Sequence, residues 1–466
     1  MAYWCIIVNR EVRTGIFMDK KNFYKKVAVI TLPILLQYLL DAAVNSADVL
    51  MLNYVGQASI SAAALATQYS SILYMVFYGM GAGAQILAAQ YYGKGDMKSV
   101  SKVQGIALRY TLIVCAVMTA LCIIIPKPLM RVFTPDKELI ELGATYLEVV
   151  SIGMIFWGIS AIYSSILRSV GRTMIVTVLE ASALLTNVAL NAVFIFGLLG
   201  APKLGLMGVA LATAISRVLQ FVLCLIVSAR SKDVKLSIRY IFKRNPLLHK
   251  DFMKMSLPAI LNDIVWGLAF STYSIIYGHL GDDVVAANSL VSTVRNLGTV
   301  LCFGLAAGGG IVVGQILGTG RVEEGKEAGR ILLRLSFLAG IVGGLIVAAI
   351  SPLVLDIAKV SDTAKDYLKF MLMVNTVYIT GTSVNTMLIA GIFRAGGETR
   401  FGLICDTIDM WVYAVPVGLL AAFVFKLPVK WVYLLICTDE FVKWPWVFKY
   451  YASFKWAKNI TREIES

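Results

Sequence analysis

The sequence predicts an all-α polytopic membrane protein with about twelve transmembrane helices, arranged as two homologous six-helix lobes around a central cavity. Three observations lead there. Of the 466 residues 58% are hydrophobic and only 15% charged, and the mean hydropathy of +0.77 lies far from the mix of a soluble domain. Apolar stretches of the roughly 20 residues needed to cross about 30 Å of hydrocarbon recur from Val27 to Tyr450. The second half of the chain also repeats the first. No segment alternates polar-in and apolar-out as a membrane barrel would, so helices are left to satisfy the backbone in lipid.

The spans are predicted at 27–53, 60–91, 105–125, 139–167, 174–199, 204–229, 252–280, 285–317, 329–353, 363–393, 401–424 and 429–450. They divide the chain into a cytoplasmic segment (1–26), an N-lobe with helices 1–6 (27–229), a basic cytoplasmic linker (230–251), a C-lobe with helices 7–12 (252–450) and a basic cytoplasmic tail (451–466). Orientation follows from Lys and Arg, which are retained on the cytoplasmic side during insertion. Links assigned inside carry Lys20, Lys21, Lys25 and Lys26, then Lys94, Lys98 and Lys102, then Arg168 and Arg172, and later Arg321, Lys326, Arg330, Arg394 and Arg400. The linker holds seven bases, with Lys254 just beyond it, and the tail is assigned Lys443, Lys449, Lys455, Lys458 and Arg462. By contrast, Gly56–Ser59 has no base and Gly281–Asp283 has two acids. Both termini are therefore expected in the cytoplasm and the protein in the plasma (inner) membrane. This rule accounts for the formal charge of +14 without a nucleic-acid partner. Met1–Phe17 lacks the apolar core of a cleavable signal, and Met18, opening the basic run MDKKNFYKK, is a candidate start.

Six cysteines (Cys115, Cys122, Cys224, Cys302, Cys405 and Cys437) are scattered through apolar spans without metal-site spacing and read as packing. His249 and His279 fall at predicted helix ends, and no Gly-x-Ser-x-Gly elbow stands on a span, so no catalytic residue is expected.

The repeat is the most informative feature. An offset of 225 residues pairs Leu32-Pro33 with Leu257-Pro258, Gly56 with Gly281, Gly83 with Gly308, Gln90 with Gln315 and Gly95 with Gly320. One inserted residue later, Arg168-x-x-Gly171-x-Thr173 reappears as Arg394-x-x-Gly397-x-Thr399. Six helices repeated in the same orientation imply two lobes related about the membrane normal, free to rock around a midplane site. Pro33, Pro258 and Pro416 remove backbone donors inside spans and permit bends. Gly79, Gly81 and Gly83, with Gly304 and Gly308–Gly310, permit close helix contact.

Ionisable residues at membrane depth are costly and point to function by default. Asp41 and Asp48 share a face of the first helix, Asp263 follows Pro258 in the seventh, and Asp406 and Asp409 share a face of the eleventh. Glu180 lies near a helix end, and Arg217 and Arg295 are candidate ion-pair partners for the acids. Tyr38, Trp266, Tyr273 and Trp411, with Tyr413, are candidate faces for an organic cation.

The runs SADVLMLNYVG (46–56), GAGAQILAAQYYGKGD (81–96), ILRSVGRT (166–173), NVALNAVFIFG (187–197) and GLMGVALATAISR (205–217) resemble successive signature segments of multidrug and toxic compound extrusion (MATE) transporters. SFKWAKNIT (453–461) resembles the basic tail of one bacterial branch. The resemblance implies export of small organic, mainly cationic compounds in exchange for Na⁺ or H⁺, with no other cofactor and as a monomer. It also implies a coupling-ion site at Asp48 with Asn187, Asn191 and Thr213, where Asp48 is the Na⁺ ligand if Na⁺ is the ion. Asn191 stands where such sites carry a second acid, which leaves neutral oxygens to complete the shell. Asp263 resembles the acid of the seventh helix; Asp41, Asp406 and Asp409 are added for substrate or proton coupling from their depth and facing. The nearest rival is a lipid-linked oligosaccharide flippase of the same superfamily, which calls for a more cationic cavity; an intramembrane enzyme is the more distant one.

Overall fold

A computed structural model describes residues 19–463 except 53, 237 and 244, and leaves undescribed the side chains at 45–50, 52 and 238. The chain is helical almost throughout. Among the described residues, eleven helices are long and apolar enough to span a bilayer: α1 (Lys20–Leu52), α2 (Gln57–Lys94), α3 (Met97–Ile124), α4 (Lys137–Ser169), α5 (Thr173–Phe196), α6 (Leu206–Arg230), α7 (Pro246–Leu280), α8 (Asp282–Gly318), α9 (Val322–Ile357), α10 (Asp362–Phe393) and α11 (Thr399–Val424). A twelfth, α12, is broken into Val429–Ile436, Asp439–Val442 and Trp444–Ala452. The break falls where Asp439, Glu440 and Lys443 interrupt the apolar run. Most helices outrun the predicted spans at their basic ends, because the chain stays helical past the hydrocarbon boundary.

Local chemistry fixes the ends. Asp96, Asp136, Asn245 and Ser361 cap helix starts by accepting backbone N–H bonds. The repeat is visible in the turns, where Gly95 and Gly320 both have φ 84°, and Gly171 and Gly397 have φ 82° and 83°. It is visible again at the prolines. Pro33 and Pro258 leave the carbonyls of Val29 and Lys254 without their helical donor. The hydroxyls of Thr173 and Thr399, from the repeated Arg-x-x-Gly-x-Thr turns, donate to those two carbonyls at 3.4 and 3.3 Å. Each bend is thus served by the next turn motif of its own lobe.

Among the described residues, the buried apolar clusters join the lobes at one end. Two apolar clusters mix them: the first half of α1 (Phe23, Val27, Ile30, Ile34) packs among α8, α9 and α10, and the start of α7 (Leu248, Phe252, Met255) packs among α2, α3 and α4. Two others stay within a lobe, one drawing only on residues 62–210 and the other only on 269–437. The mixed clusters lie at the end carrying the Lys/Arg-rich links. There a Cβ on Gly83 would stand 1.9 Å from Ser256 Oγ, and one on Gly308 would stand 2.2 Å from Thr31 Oγ1. The amide of Gln90 donates to Ala395 O (2.8 Å), and that of Gln315 donates to Ser169 O (2.7 Å), the same bond twice across the pseudo-twofold. The tail closes over this seam: Gln90 Oε1 accepts from Ile460 N (2.8 Å), and Arg462 forks onto Asp251 (2.7 and 2.9 Å).

Replacing Gly83 or Gly308 with Val is expected to force the seam apart, costing about 1–3 kcal/mol of stability. A lowered melting temperature in detergent, with faster thiol labelling of a cysteine placed at Gln90, would report it.

Candidate functional site in the central cavity

Between the lobes lies a cavity of about 730 Å³, walled by both. On the N-lobe side α1 presents Gln37, Tyr38 and Asp41; α2 adds Tyr74 and Tyr78, α4 adds Trp157 and Arg168, α5 Glu180, and α6 Arg217 and Gln220. Facing them are Asn262, Asp263 and Trp266 from α7, Asn385 and Arg394 from α10, Asp406 from α11 and Lys443 from α12. The wall therefore carries four acids and four bases.

A charge at this depth is tolerated only when paired or hydrogen-bonded. In the N-lobe, Arg168 bridges Glu180 at 2.7 Å, and the Gln37 amide donates to the other oxygen of the same carboxylate. Arg217 lies over the Trp157 ring at 4.5 Å and donates to Gln220 (3.2 Å). In the C-lobe, Asp406 Oδ2 accepts from Asn262 (2.9 Å) and Trp266 Nε1 (3.0 Å). Arg394 donates to Asn262 Oδ1 at 2.9 Å and stands 3.8 Å from Asp263. Lys443 Nζ meets Asp406 at 3.5 Å, Asp409 at 3.1 Å and Glu440 at 3.1 Å. The Asn385 amide holds Glu440 at 2.6 Å.

The two walls are copies. Gln37 and Asn262 stand 225 residues apart, while Arg168 and Arg394, Glu180 and Asp406, and Arg217 and Lys443 each stand 226 apart. Both lobes thus build an amide from their first helix, a carboxylate from their fifth and a base from their sixth around one end of the cavity.

Several sequence-based assignments change. Arg168 and Arg394 were placed in cytoplasmic links but turn into the cavity, because α4 and the helical end of α10 continue through them and aim them at Glu180 and Asn262. Arg172 does stay at the link, bonded to Ser231 and Asp233. Lys443 was counted in the tail, yet its side chain is 1% exposed and lies among carboxylates. Glu180 is a cavity residue rather than an interfacial one. Arg217 and Arg295 pair with aromatic rings instead of acids, Arg295 lying 5.9 Å from Phe270 and 6.0 Å from Tyr378.

Among the aromatic candidates, Tyr38 and Trp266 line the cavity. Tyr273 is buried in the outer core of the C-lobe, and Trp411 lies on the outer surface, donating to Val265 O (3.3 Å). The reason is local: residues 408–414 form π-turns, each of which adds a residue and rotates every later side chain away from its α-helical facing. Asp41, Asp263 and Asp406 are on the wall, while Asp409 sits behind it against Lys443. Asn187 donates to Thr213 Oγ1 and accepts from Asn191, both at 3.3 Å, so these three meet inside the N-lobe away from the cavity wall. The Asp48 side chain lies outside the described residues. Sequence reading missed Asn262, Asn385, Asp439, Glu440 and the inward Arg168, Arg394 and Lys443; carrying the 226-residue offset past Thr173 exposes Glu180 with Asp406 and Arg217 with Lys443.

Known proteins share this architecture. A probable multidrug resistance protein, YoeA of Bacillus subtilis, is 23% identical over 96% of this chain and 97% of its own. The probable multidrug resistance protein NorM of Thermotoga maritima is 22% identical over 94% and 95%, respectively. The crystal structure of MATE in the straight conformation superposes with a TM-score of 0.84 at 21% identity, covering 92% of this chain and 96% of that one. A MOP-superfamily transporter from Pyrococcus furiosus, whose binding pocket is described as reversed in polarity, gives 0.82 at 21% identity with the same coverage. The MatE family model matches residues 33–193 and 258–420, one block in each lobe and more than two thirds of the chain. The chain is a multi-pass membrane protein of the MatE family of transporters.

Proposed function

We propose that the protein is a secondary multidrug antiporter, exporting small organic compounds by alternating access in exchange for an inward-moving ion. The observation that carries this reading is a 730 Å³ cavity lying between two lobes that are sewn together at one end and separate at the other. That volume suits a drug-sized molecule. With the basic links inside, the sealed end faces the cytoplasm and the cavity opens outward, with both termini cytoplasmic and the protein in the plasma membrane. The relatives named as multidrug resistance proteins support the substrate class.

The coupling ion, Na⁺ or H⁺, acts at Asp48 with Asn187, Asn191 and Thr213, where the described amides and hydroxyl offer hard oxygen atoms. It biases the lobes only by binding one state more tightly than the other. The substrate meets Tyr38, Tyr74, Tyr78 and Trp266, with Asp41 and Asp263 available to a positive group. The four bases on the wall give the lipid-linked oligosaccharide flippase a specific argument, since a diphosphate needs cationic partners; the four acids beside them oppose it.

Purified protein in liposomes should move a fluorescent organic cation against its gradient when a Na⁺ or pH gradient is imposed. Movement under neither gradient, with intact protein, would favour the flippase. Asp48→Asn should lower gradient-driven transport at least about tenfold while leaving expression and folding unchanged. For the wall, Arg168→Ala should destabilise the protein by about 3 kcal/mol by stranding Glu180, and adding Glu180→Gln should recover most of that loss in thermal melts.

A further inference from the structure

One cluster is left over by the cavity chemistry. Behind Asp406, the C-lobe buries Asp409, Asp439 and Glu440 around the single ammonium of Lys443, with side-chain exposures of at most 4% for the four residues in the bridges. Asp409 is wholly buried, and its Oδ1 has no hydrogen-bond partner. Glu440 is held by Asn385, and the Asp439 carboxylate accepts the adjacent backbone N–H of Glu440 (2.7 Å). Three carboxylates therefore share one cation, with the buried Asp439 carboxyl beside them, in a site where each uncompensated charge costs several kcal/mol. Charge balance there requires protons.

Among the described residues, the surrounding elements supply no other compensating base at contact distance. From α7 the neighbours are Asp263, Trp266 and Tyr273; from α10, Asn385, Tyr378 and Arg394, the last turned toward Asn262 and Asp263; from α11, Cys405; from α12, Cys437. Arg295 of α8 faces the rings of Phe270 and Tyr378. The Lys443 ammonium, with three carboxylates at 3.1–3.5 Å, fills the space among those oxygens into which a monovalent cation would have to go. Its counterpart in the first lobe, Arg217, rests on Trp157 and has no such carboxylate cage.

We propose that Lys443 is a built-in counter-ion filling the place of a coupling cation in the second lobe, so that this lobe exchanges protons with the cavity and excludes Na⁺. The proton passes from cavity water to a carboxylate oxygen of Asp409 or Glu440, forming a neutral carboxyl, and returns to water from the same group; Lys443 stays an ammonium throughout. Asp406 and Lys443 reach the cavity wall and provide the path. This rests on the antiporter reading for its role in transport, but ion binding is measured without any drug and so stands apart from it.

The test uses full-length protein with the first-lobe site silenced by Asp48→Asn, melted in detergent at pH 8 against NaCl, with choline chloride as the ionic-strength control. Asp48→Asn alone should show no Na⁺-specific shift. Adding Lys443→Gln should produce a saturable rise in Tm of about 3 °C or more as Na⁺ takes the vacated place; adding Lys443→Arg should not. If the Lys443→Gln protein does not purify as a monodisperse species, Lys443→Gln with Asp409→Asn removes one charge of each sign and should show the same gain. A Na⁺-specific shift in Asp48→Asn with Lys443 intact, or no gain in the folded lysine variants, would overturn the proposal. Proton release on binding ethidium should persist in Asp48→Asn and disappear in Asp409→Asn/Glu440→Gln; release unchanged in the latter would also overturn it. Absence of ethidium binding in the unmodified protein would instead count against the antiporter reading.

Discussion

A charge held inside a hydrocarbon slab must find a counter-charge or a hydrogen bond within reach, and the interior of this protein is organised by that requirement. Arg168 has Glu180, Arg394 has Asn262 and Asp263, and Lys443 has Asp406, Asp409 and Glu440. Each group ties one helix to another, and removing one member of such a set costs far more than the set contributes. The same groups keep polar side chains on the walls between the lobes, where apolar packing would otherwise close the space. Satisfying the charges and preserving a cavity are one solution.

The backbone obeys the same demand. A proline in a membrane helix orphans a carbonyl, and here each orphan meets a threonine hydroxyl from its own lobe. The first and seventh helices are thereby allowed to bend at Pro33 and Pro258 without exposing an unpaired group to lipid. These two helices are also the ones whose first halves cross into the opposite lobe. A bend at either proline thus acts directly on the seam, where glycine contacts and paired glutamine bonds leave little room for partial separation. Close-packed contacts of this kind are made or broken as a unit, which favours two discrete lobe arrangements over a continuum.

Much of this was legible from residues alone. Hydropathy located the spans because lipid tolerates little else, and the repeat gave the lobe plan because Pro33 with Pro258, and Thr173 with Thr399, must keep their spacing to serve each other. The positive-inside count failed for Arg168, Arg394 and Lys443 because it treats every base near a span end as a loop residue and has no knowledge of the carboxylate on another helix. The eleventh helix defeated facing arguments for another reason. An α-helical wheel assumes a constant rotation per residue, and the π-turns over 408–414 break it between Asp406 and Trp411. Asp406, before those turns, is on the wall; Trp411, within them, is on the outer surface.

The two walls share a repeated plan and differ in charge. The N-lobe wall carries Asp41 and Glu180 against Arg168 and Arg217, so its described charges balance without help. Its counterpart carries Asp263 and Asp406 on the surface and three further acids behind, against Arg394 and Lys443. Equal lobes would feel a change of protonation equally and gain no preference for rocking one way. An excess of acid confined to one lobe ties uptake or loss of a proton to that lobe's own packing, through helices that are already locally irregular at 408–414 and 437–438. The short middle segment of α12 carries the same arrangement, setting Glu440 three residues before Lys443 and within 3.1 Å of it, so that the acid on one helix and those on α11 meet a single ammonium.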